Sequence, residues 1–342
     1  MYRKYPEFYA RFGFPGALGA ETNPLIHQRQ RKELEPFFSS KGVEACYPKI
    51  WAKVDIMCQG LQQRQAARES VELVYLFKRL TLDVIYLLAF EIDLLNTDRH
   101  SHQLVQRNYS RTLKESGKDR CLDSTIFDSV LRSFAKTQDG SNLTRVQTGK
   151  VVDDVALSTT LVYLCKCPKE MVKLRHEVEC LRETNVQDIQ LATISQIPYL
   201  DAVIREANRL SSPLSTVLPR EVPSTGYVIG GHFLPKGTIV GFHLDDINRN
   251  PKFFPEPNEF IPERWSGEEG KKLQRWFVRF SKCSRRCIGM DFALVEMKLV
   301  VAAIISRFEI WLDNPNVSLN SREMLVKIPG DDLRIRLREI TF

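Results

Sequence analysis

The sequence predicts a mainly α-helical protein with a small β region. Two observations carry this prediction. Apolar residues recur at helical spacing through most of the first 210 residues, and after Ser211 the chain changes to short β-branched runs broken by Pro and Gly. Strands and helices do not alternate, and the glycine motifs of nucleotide-binding folds are absent from the sequence. We therefore expect helices, then short strands, then one buried helix, in a single domain over residues 1–342.

The helical part is divided by prolines and polar stretches. Leu200, Val203, Ile204 and Ala207 form a clear apolar stripe, which is typical of a helix packed on a core. The expected helices are residues 24–38, 47–67, 71–90, 125–135, 153–165, 169–183 and 199–210, and residues 137–149 are expected to form a loop.

The last third of the chain has a different character. Residues 213–240 predict small strands with a hairpin, and residues 248–265 form a Pro-rich segment. A loop rich in Cys, Ser and Arg then precedes a helix over 291–308, which is apolar almost all round. The ending LRIRLREI alternates in character and predicts a strand.

Composition excludes several classes of protein. Hydrophobic residues make up 43% and charged residues 27%, which is typical of a globular chain. The net charge of +7 is spread along the sequence without interleaved aromatic residues, so we expect no nucleic-acid partner. The eight cysteines contain no CxxC pair and predict reduced thiols. No stretch of 18 apolar residues is present, so no membrane anchor is expected in this chain.

The loop before the last helix carries the sharpest chemical signal. Cys287 precedes a helix N-terminus, whose dipole and free N–H groups favour a thiolate, and Arg285 and Arg286 add positive potential. Such a thiolate is a good axial ligand for haem iron, although a buried structural cysteine explains the same residues equally well. Cys283 could pair with Cys287 on zinc, but no further ligands stand at metal spacing.

Two other segments have features that are common in proteins when each segment is considered alone. Glu206 and Arg209 are three residues apart on one helix face, which suits a local ion pair, and Arg264 lies in the sequence PERW. The order E-x-x-R, PERW and then a Cys loop resembles the signature of the cytochrome P450 family, whose loop reads F-x-x-G-x-R-x-C-x-G. The resemblance covers most of the chain. Within the family, the sequence looks most like those of fungal microsomal members of secondary metabolism.

The resemblance implies a cytochrome P450 fold and assigns roles to single residues. Cys287 would be the proximal thiolate ligand of haem b, whose electron donation favours O–O cleavage. Arg31, Arg220 and Arg285 would pair with the two haem propionates, and His27 would add a hydrogen bond. Glu206, Arg209 and Arg264 would form a structural triad.

The resemblance also implies an activity and partners. The chain would be a monooxygenase that oxidises a lipophilic secondary metabolite, a terpenoid or polyketide, with dioxygen and electrons from NADPH-cytochrome P450 reductase. The basic residues Arg29, Arg31 and Lys32 would suit an acidic reductase face. Members of this type are expected at the endoplasmic reticulum membrane.

The sequence departs from the family pattern at two places. Cys283 stands where the loop has Gly, which costs roughly 1–2 kcal/mol if that position needs a positive φ. In the central helix, Val151 and Val152 stand at the acid and first alcohol of the oxygen site, Asp153 stands at the second hydroxyl position, and Asp153 or Thr159 would have to relay protons. The chain is also short, so the N-terminal part and the substrate-roofing helices are expected to be incomplete. The alternative is therefore a degenerate member without oxygenase activity.

Overall fold

Helices predominate in the residues that the computed structural model describes, and the strands among them fall into four small sheets. The described residues are 3–11, 18–90, 151–181, 190–211, 217–319, 321–322, 328–329 and 332–340. The helix expected over 125–135 and the loop expected over 137–149 lie outside them.

The N-terminal helices are α1 (Pro6–Ala10), α2 (Pro24–Leu34), α3 (Ser40–Ala66) and α4 (Leu73–Phe90). The side chain of Asn23 begins α2 by accepting a hydrogen bond from the backbone N–H of Leu25 at 2.9 Å. The helix expected to reach residue 38 ends at Leu34, and Pro36, which has no backbone N–H to donate to the carbonyl of Lys32, lies just beyond it. Ser39 caps α3, so this helix begins at Ser40 and not at the expected residue 47. The interior of the helix contains Pro48.

The remaining helices are α5 (Val151–Lys166), α6 (Pro168–Val178), α7 (Leu191–Ser195), α8 (Pro198–Leu210), α9 (Leu244–Asn248), α10 (Gly267–Leu273) and α11 (Met290–Arg307). Their apolar residues meet in one core, where Leu157, Ile204 and Val300 are completely buried. The expected helices over 199–210 and 291–308 are thus present within a residue at each end. The burial of apolar side chains from α5, α8 and α11 stabilises the fold around the Cys loop, which precedes α11.

The strands are β1 (Arg3–Lys4), β2 (Val71–Glu72), β3 (Arg220–Glu221), β4 (Tyr227–Ile229), β5 (His232–Leu234), β6 (Ile239–Val240), β7 (Phe308–Leu312), β8 (Ser321–Arg322), β9 (Ile328–Pro329) and β10 (Arg334–Glu339). All pairs are antiparallel, with the orders β1-β3-β6, β2-β10-β7, β4-β5 and β8-β9. Gly230 and Gly231 turn the expected hairpin with positive φ angles of 59° and 84°. In the first sheet, Lys4 of β1 lies directly opposite Arg220 of β3.

Among the described residues, we find no helix with the combined length and apolarity that crossing a bilayer requires.

Candidate haem-thiolate site

A buried ion-pair cluster joins α8 to the Pro-rich segment. Arg209 donates from Nε to Oε2 of Glu206 at 2.9 Å and from Nη2 to Oε1 at 2.8 Å. Arg264 Nε donates to the same Oε1 at 2.9 Å. Trp265 Nε1 donates to Oε2 at 2.8 Å, and the backbone N–H of Ile261 donates to Oε1 at 3.0 Å. The Glu206 carboxylate is fully buried, so these hydrogen bonds compensate for the water that it has lost.

The two arginines of this cluster use their other N–H groups on backbone carbonyls. Arg209 Nη1 donates to the carbonyls of Asn248 at 2.8 Å and Pro257 at 2.6 Å. Arg264 Nη1 donates to the carbonyl of Pro255 at 2.9 Å. Asn248 ends α9, whereas Pro255 and Pro257 lie in irregular backbone, so the cluster holds both parts of this segment. It fixes that segment to α8, and α10 separates the segment from the Cys loop in the sequence.

The loop over residues 280–289 presents Cys287 at its surface, just before α11. The backbone N–H of Cys287 donates to the carbonyl of Phe280 at 2.8 Å and closes the loop. From α2, Arg31 Nη1 donates to the carbonyl of Arg286 at 2.7 Å, on the peptide that precedes Cys287. The thiol is exposed, and Gly289 is the N-cap of α11. This arrangement offers a sulfur atom beside a helix N-terminus, as a thiolate ligand requires.

Cys283 has the left-handed backbone that makes the absence of glycine costly. Its φ angle is +55°, and that of Ser281 in the same loop is +59°. An L residue other than Gly is strained there, since Cβ crowds the following carbonyl oxygen. The loop therefore holds its shape against local strain.

Replacing Cys283 with Gly should relieve that strain. We expect Cys283→Gly to raise the free energy of unfolding by about 1 kcal/mol, after allowing for the extra freedom of Gly in the unfolded chain. Cys283→Ala removes the thiol but keeps Cβ, so it should bring no gain. Denaturant unfolding of the two variants checks this, and equal stability of the two would show that strain at residue 283 is negligible.

A basic cluster lies beside this loop and is formed by Lys4 of β1, His27 and Arg31 of α2, Arg220 of β3 and Arg285 of the loop itself. Arg285 Nη1 donates to the carbonyl of Glu21 at 3.0 Å, while its Nη2 is buried without an acceptor among the described residues. Arg220 Nη1 donates to the phenolic oxygen of Tyr9 at 2.6 Å and to the carbonyl of Leu218 at 3.1 Å. These guanidinium groups bond to neutral oxygens, and the carboxylate of Glu21 offsets only part of the positive charge.

The basic side chains of this cluster repel one another. Burial, followed by the charges of its basic neighbours Arg285, Lys4 and Arg31, lowers the pKa of His27 to about 4. Burial and the charge of Arg220 lower the pKa of Arg285 as well. His27 is therefore neutral near pH 7 and can donate a hydrogen bond, while the arginines keep their charge.

The donor set fits a group that carries two carboxylates. Guanidinium forks match carboxylates in geometry, and an anion would relieve the repulsion and give Arg285 Nη2 a partner. The structure thus brings His27, Arg31, Arg220 and Arg285 to one side of the chain near Cys287, as haem b with its propionates would need.

The structure describes only part of the oxygen site that was expected in the central helix α5. Asp153 lies in its first turn, and its side chain is outside the described part of the structure. Thr159 Oγ1 donates to the carbonyl of Val155 at 2.9 Å, and Thr160 Oγ1 to that of Ala156 at 2.6 Å. Both hydroxyl groups are therefore satisfied within their own helix.

Sequence reasoning missed Lys4, which belongs to the basic cluster, and Tyr9, which packs against it. Both are buried, and Lys4 Nζ lies 4.8 Å from the centre of the Tyr9 ring. Neither residue stands in a motif: Lys4 meets Arg220 through the pairing of β1 with β3, and Tyr9 of α1 accepts a hydrogen bond from Arg220. No pattern in the sequence predicts a strand of two residues.

Comparison with known proteins identifies the family. The family model described as Cytochrome P450 matches residues 154–333, more than half of the chain. The chain is 26% identical to the cytochrome P450 monooxygenase phqM of Penicillium fellutanum, over 96% of this chain and 75% of that protein. It is 29% identical to penB of Penicillium thymicola, also a cytochrome P450 monooxygenase, over 90% and 83% of the two chains.

A solved structure shows the same fold. A crystal structure of a cytochrome P450 (CYP102L1) superposes with a TM-score of 0.82 at 20% identity, and covers 99% of this chain and 89% of its own. The mainly helical fold with small sheets is therefore that of cytochromes P450, as expected from the sequence. The chain belongs to the cytochrome P450 family of monooxygenases.

Proposed function

We propose that this chain is a haem-thiolate monooxygenase that oxidises a lipophilic fungal secondary metabolite, a terpenoid or polyketide, with electrons from NADPH-cytochrome P450 reductase. The observation that carries the proposal is the cluster of cations beside the exposed Cys287 thiol, where positive charge exceeds the single negative charge of Glu21. The similarity to fungal cytochrome P450 monooxygenases supports the same activity. Haem, when bound, supplies the activation of dioxygen.

In this proposal the chain's residues bind and orient the cofactor. Cys287 ligates the iron, and Arg31, Arg220 and Arg285 hold the propionates with help from neutral His27. Arg31 has a second task, because its hydrogen bond to the carbonyl of Arg286 fixes the peptide next to the ligand. The structural triad holds the segment that leads to the loop.

The exposed side of α2 supports a role in electron delivery. The side chain of Arg29 is 84% exposed and pairs with Glu33 at 3.4 Å, and Lys32 is also exposed, so both basic side chains face solvent on the helix that carries Arg31. A basic surface attracts an acidic protein and accelerates its association, which suits the reductase.

A second candidate is a family member without oxygenase activity. The observation that favours it is α5, where Val151 and Val152 cannot carry protons and the hydroxyl groups of Thr159 and Thr160 bond to their own helix. In the first candidate, by contrast, Asp153 would be the proton relay in this segment. Haem binding and weak oxygenase activity are compatible with this arrangement, whereas efficient oxygen transfer is not.

Coupling of electron flow to product therefore tests the function. We expect NADPH consumption to yield mostly peroxide and little hydroxylated product with a panel of terpenoids, because proton delivery at α5 is poor. Val152→Thr restores an alcohol and should raise the share of product, whereas Asp153→Asn should lower it further. Tight coupling in the unaltered chain would contradict the expected weakness of α5.

Absence of any NADPH consumption in a haem-loaded chain would favour the second candidate. The measurement uses reductase, NADPH and the 342-residue chain, and it follows NADPH, peroxide and product in the same reaction.

A further inference from the structure

A cavity of about 640 Å³ lies between α3 and the beginning of α7, and we call it the α3–α7 cavity. It is lined from α3 by residues that include Pro48, Ala52 and Ile56, and from the α7 side by Gln190, Leu191 and Ala192. None of its lining residues belongs to the haem-thiolate site, the basic cluster or the Glu206 cluster. Its volume falls in the range of about 300–1,000 Å³ that is typical of small-molecule sites.

One wall of the α3–α7 cavity is apolar and exposed. Pro48, Ala52 and Ile56 follow one another at intervals of four residues on α3, so they share one face of the helix. All three are exposed, and Ile56 has 40% of its surface exposed. Leu191 adds apolar surface from α7. A lipophilic ligand would cover these side chains, and their removal from water favours its binding.

The side chain of Trp51 lines the same cavity and has an unused hydrogen-bond donor. Trp51 is only 4% exposed, and its indole Nε1 is buried with no acceptor among the described residues. A buried N–H group without a partner costs stability, and native structures nearly always pair such groups. An oxygen atom of a ligand in the cavity would supply the acceptor that Trp51 lacks.

The charged side chains that line the cavity are acidic. Glu44 is exposed and has no ion-pair partner among the described residues, and the side chain of Asp55 is 26% exposed. Asp55 Oδ1 accepts from Arg307 Nη1 at 2.8 Å, and Asp55 Oδ2 accepts from Gln59 Nε2 at 3.0 Å. Arg307 therefore balances the charge of Asp55, and the charge of Glu44 is left over. The described lining contains no basic side chain, so the cavity attracts cations and repels anions.

We propose that the α3–α7 cavity is a second binding site, which takes a small lipophilic amine with a protonated nitrogen and a carbonyl or ether oxygen. The ammonium group is attracted by Glu44, and the oxygen accepts a hydrogen bond from Trp51 Nε1. The rings of Tyr47 and Trp51 also line the cavity, and electron-rich ring faces attract a cation. The site is independent of the proposed haem function, because it uses none of the residues assigned to haem.

Calorimetric titration of the full-length, haem-loaded chain with procaine tests the proposal. Procaine carries an ester carbonyl, an aromatic ring and a tertiary amine that is protonated near neutral pH. Benzocaine keeps the ring and the ester but lacks that amine. We expect benzocaine to bind at least about tenfold more weakly than procaine, because it loses the interaction with a carboxylate.

Two variants assign the polar contacts. Trp51→Phe keeps an aromatic ring but removes the N–H donor, and it should weaken procaine binding about tenfold. Trp311 is an exposed tryptophan on β7, so Trp311→Phe is the matched control and should bind procaine normally. Glu44→Gln removes an exposed charge and should also weaken binding, by a factor that shrinks in high salt.

A third variant blocks the cavity from its exposed wall, where a larger side chain does not disturb the core. Ala52→Phe should abolish procaine binding, whereas Ala45→Phe, at an exposed position of α3 outside the cavity, should not. Procaine that binds in the haem pocket would shift the Soret band and bind Ala52→Phe as tightly as the unaltered chain, which would overturn the proposal.

Two further results would overturn it, namely equal affinities for procaine and benzocaine, or no procaine binding by the unaltered chain. The same titration of the haem-free chain should give the same affinity. Failure of the chain to bind hemin would therefore contradict the proposed function alone.

Discussion

Glu206→Ala should leave the chain insoluble or free of haem, with a loss of about 3–5 kcal/mol in the free energy of unfolding. The change removes the carboxylate that accepts from both Arg209 and Arg264, and Arg209 is completely buried. Its guanidinium charge would then be buried without an ionic partner. Since whole domains are stable by only about 5–15 kcal/mol, this is a large fraction of the total.

The stability loss can be assigned to the cluster by comparing variants. Glu206→Gln keeps the size of the side chain and should also be strongly destabilised. Glu268 pairs with Lys271 on the surface and is 79% exposed, so Glu268→Gln is the control and should change stability by less than about 0.5 kcal/mol. Adding Arg209→Met to Glu206→Ala should cost less than the sum of the single changes. Soluble, haem-containing Glu206→Ala with normal unfolding would contradict the structural role.

Cys287→Ser should abolish the thiolate character of the bound haem. Serine oxygen is a poor replacement for a thiolate, and the haem that remains would be held by the propionate contacts and by other ligands. Cys283→Ser is the matched control in the same loop and should keep the thiolate spectrum, because residue 283 serves only the backbone turn. Optical and electron paramagnetic resonance spectra of the ferric proteins distinguish the two. Survival of the thiolate signature in Cys287→Ser would refute the ligand assignment.

Elements with strong local patterns were predictable from the sequence. The apolar stripe of α8, the all-round apolar surface of α11 and the alternation in β10 each leave a period that burial makes visible. The boundary between α2 and α3 was not predictable in this way. Pro48 lies inside α3, where the carbonyl left without a backbone donor belongs to exposed Glu44 and can bond to water.

The residues of the candidate site also differ in whether the sequence alone could predict them. Glu206, Arg209 and Cys287 stand in motifs whose spacing is fixed by one helix or one loop, so the sequence alone singles them out. Lys4 meets Arg220 only through a strand of two residues, and such long-range pairing depends on the whole fold. The backbone strain at Cys283 depends on its φ angle, which the sequence alone does not give. The observed φ of +55° is positive, so the strain expected for that case is present.

The carbon monoxide difference spectrum of the reduced, unaltered chain tests haem-thiolate binding most directly. The full-length protein is loaded with hemin, reduced with dithionite, and recorded with and without carbon monoxide. The account predicts the red-shifted Soret band of a thiolate-ligated haem, because Cys287 lies exposed at the N-terminus of α11 beside the basic cluster. A band typical of histidine-ligated haem, or no bound haem at all, would contradict it.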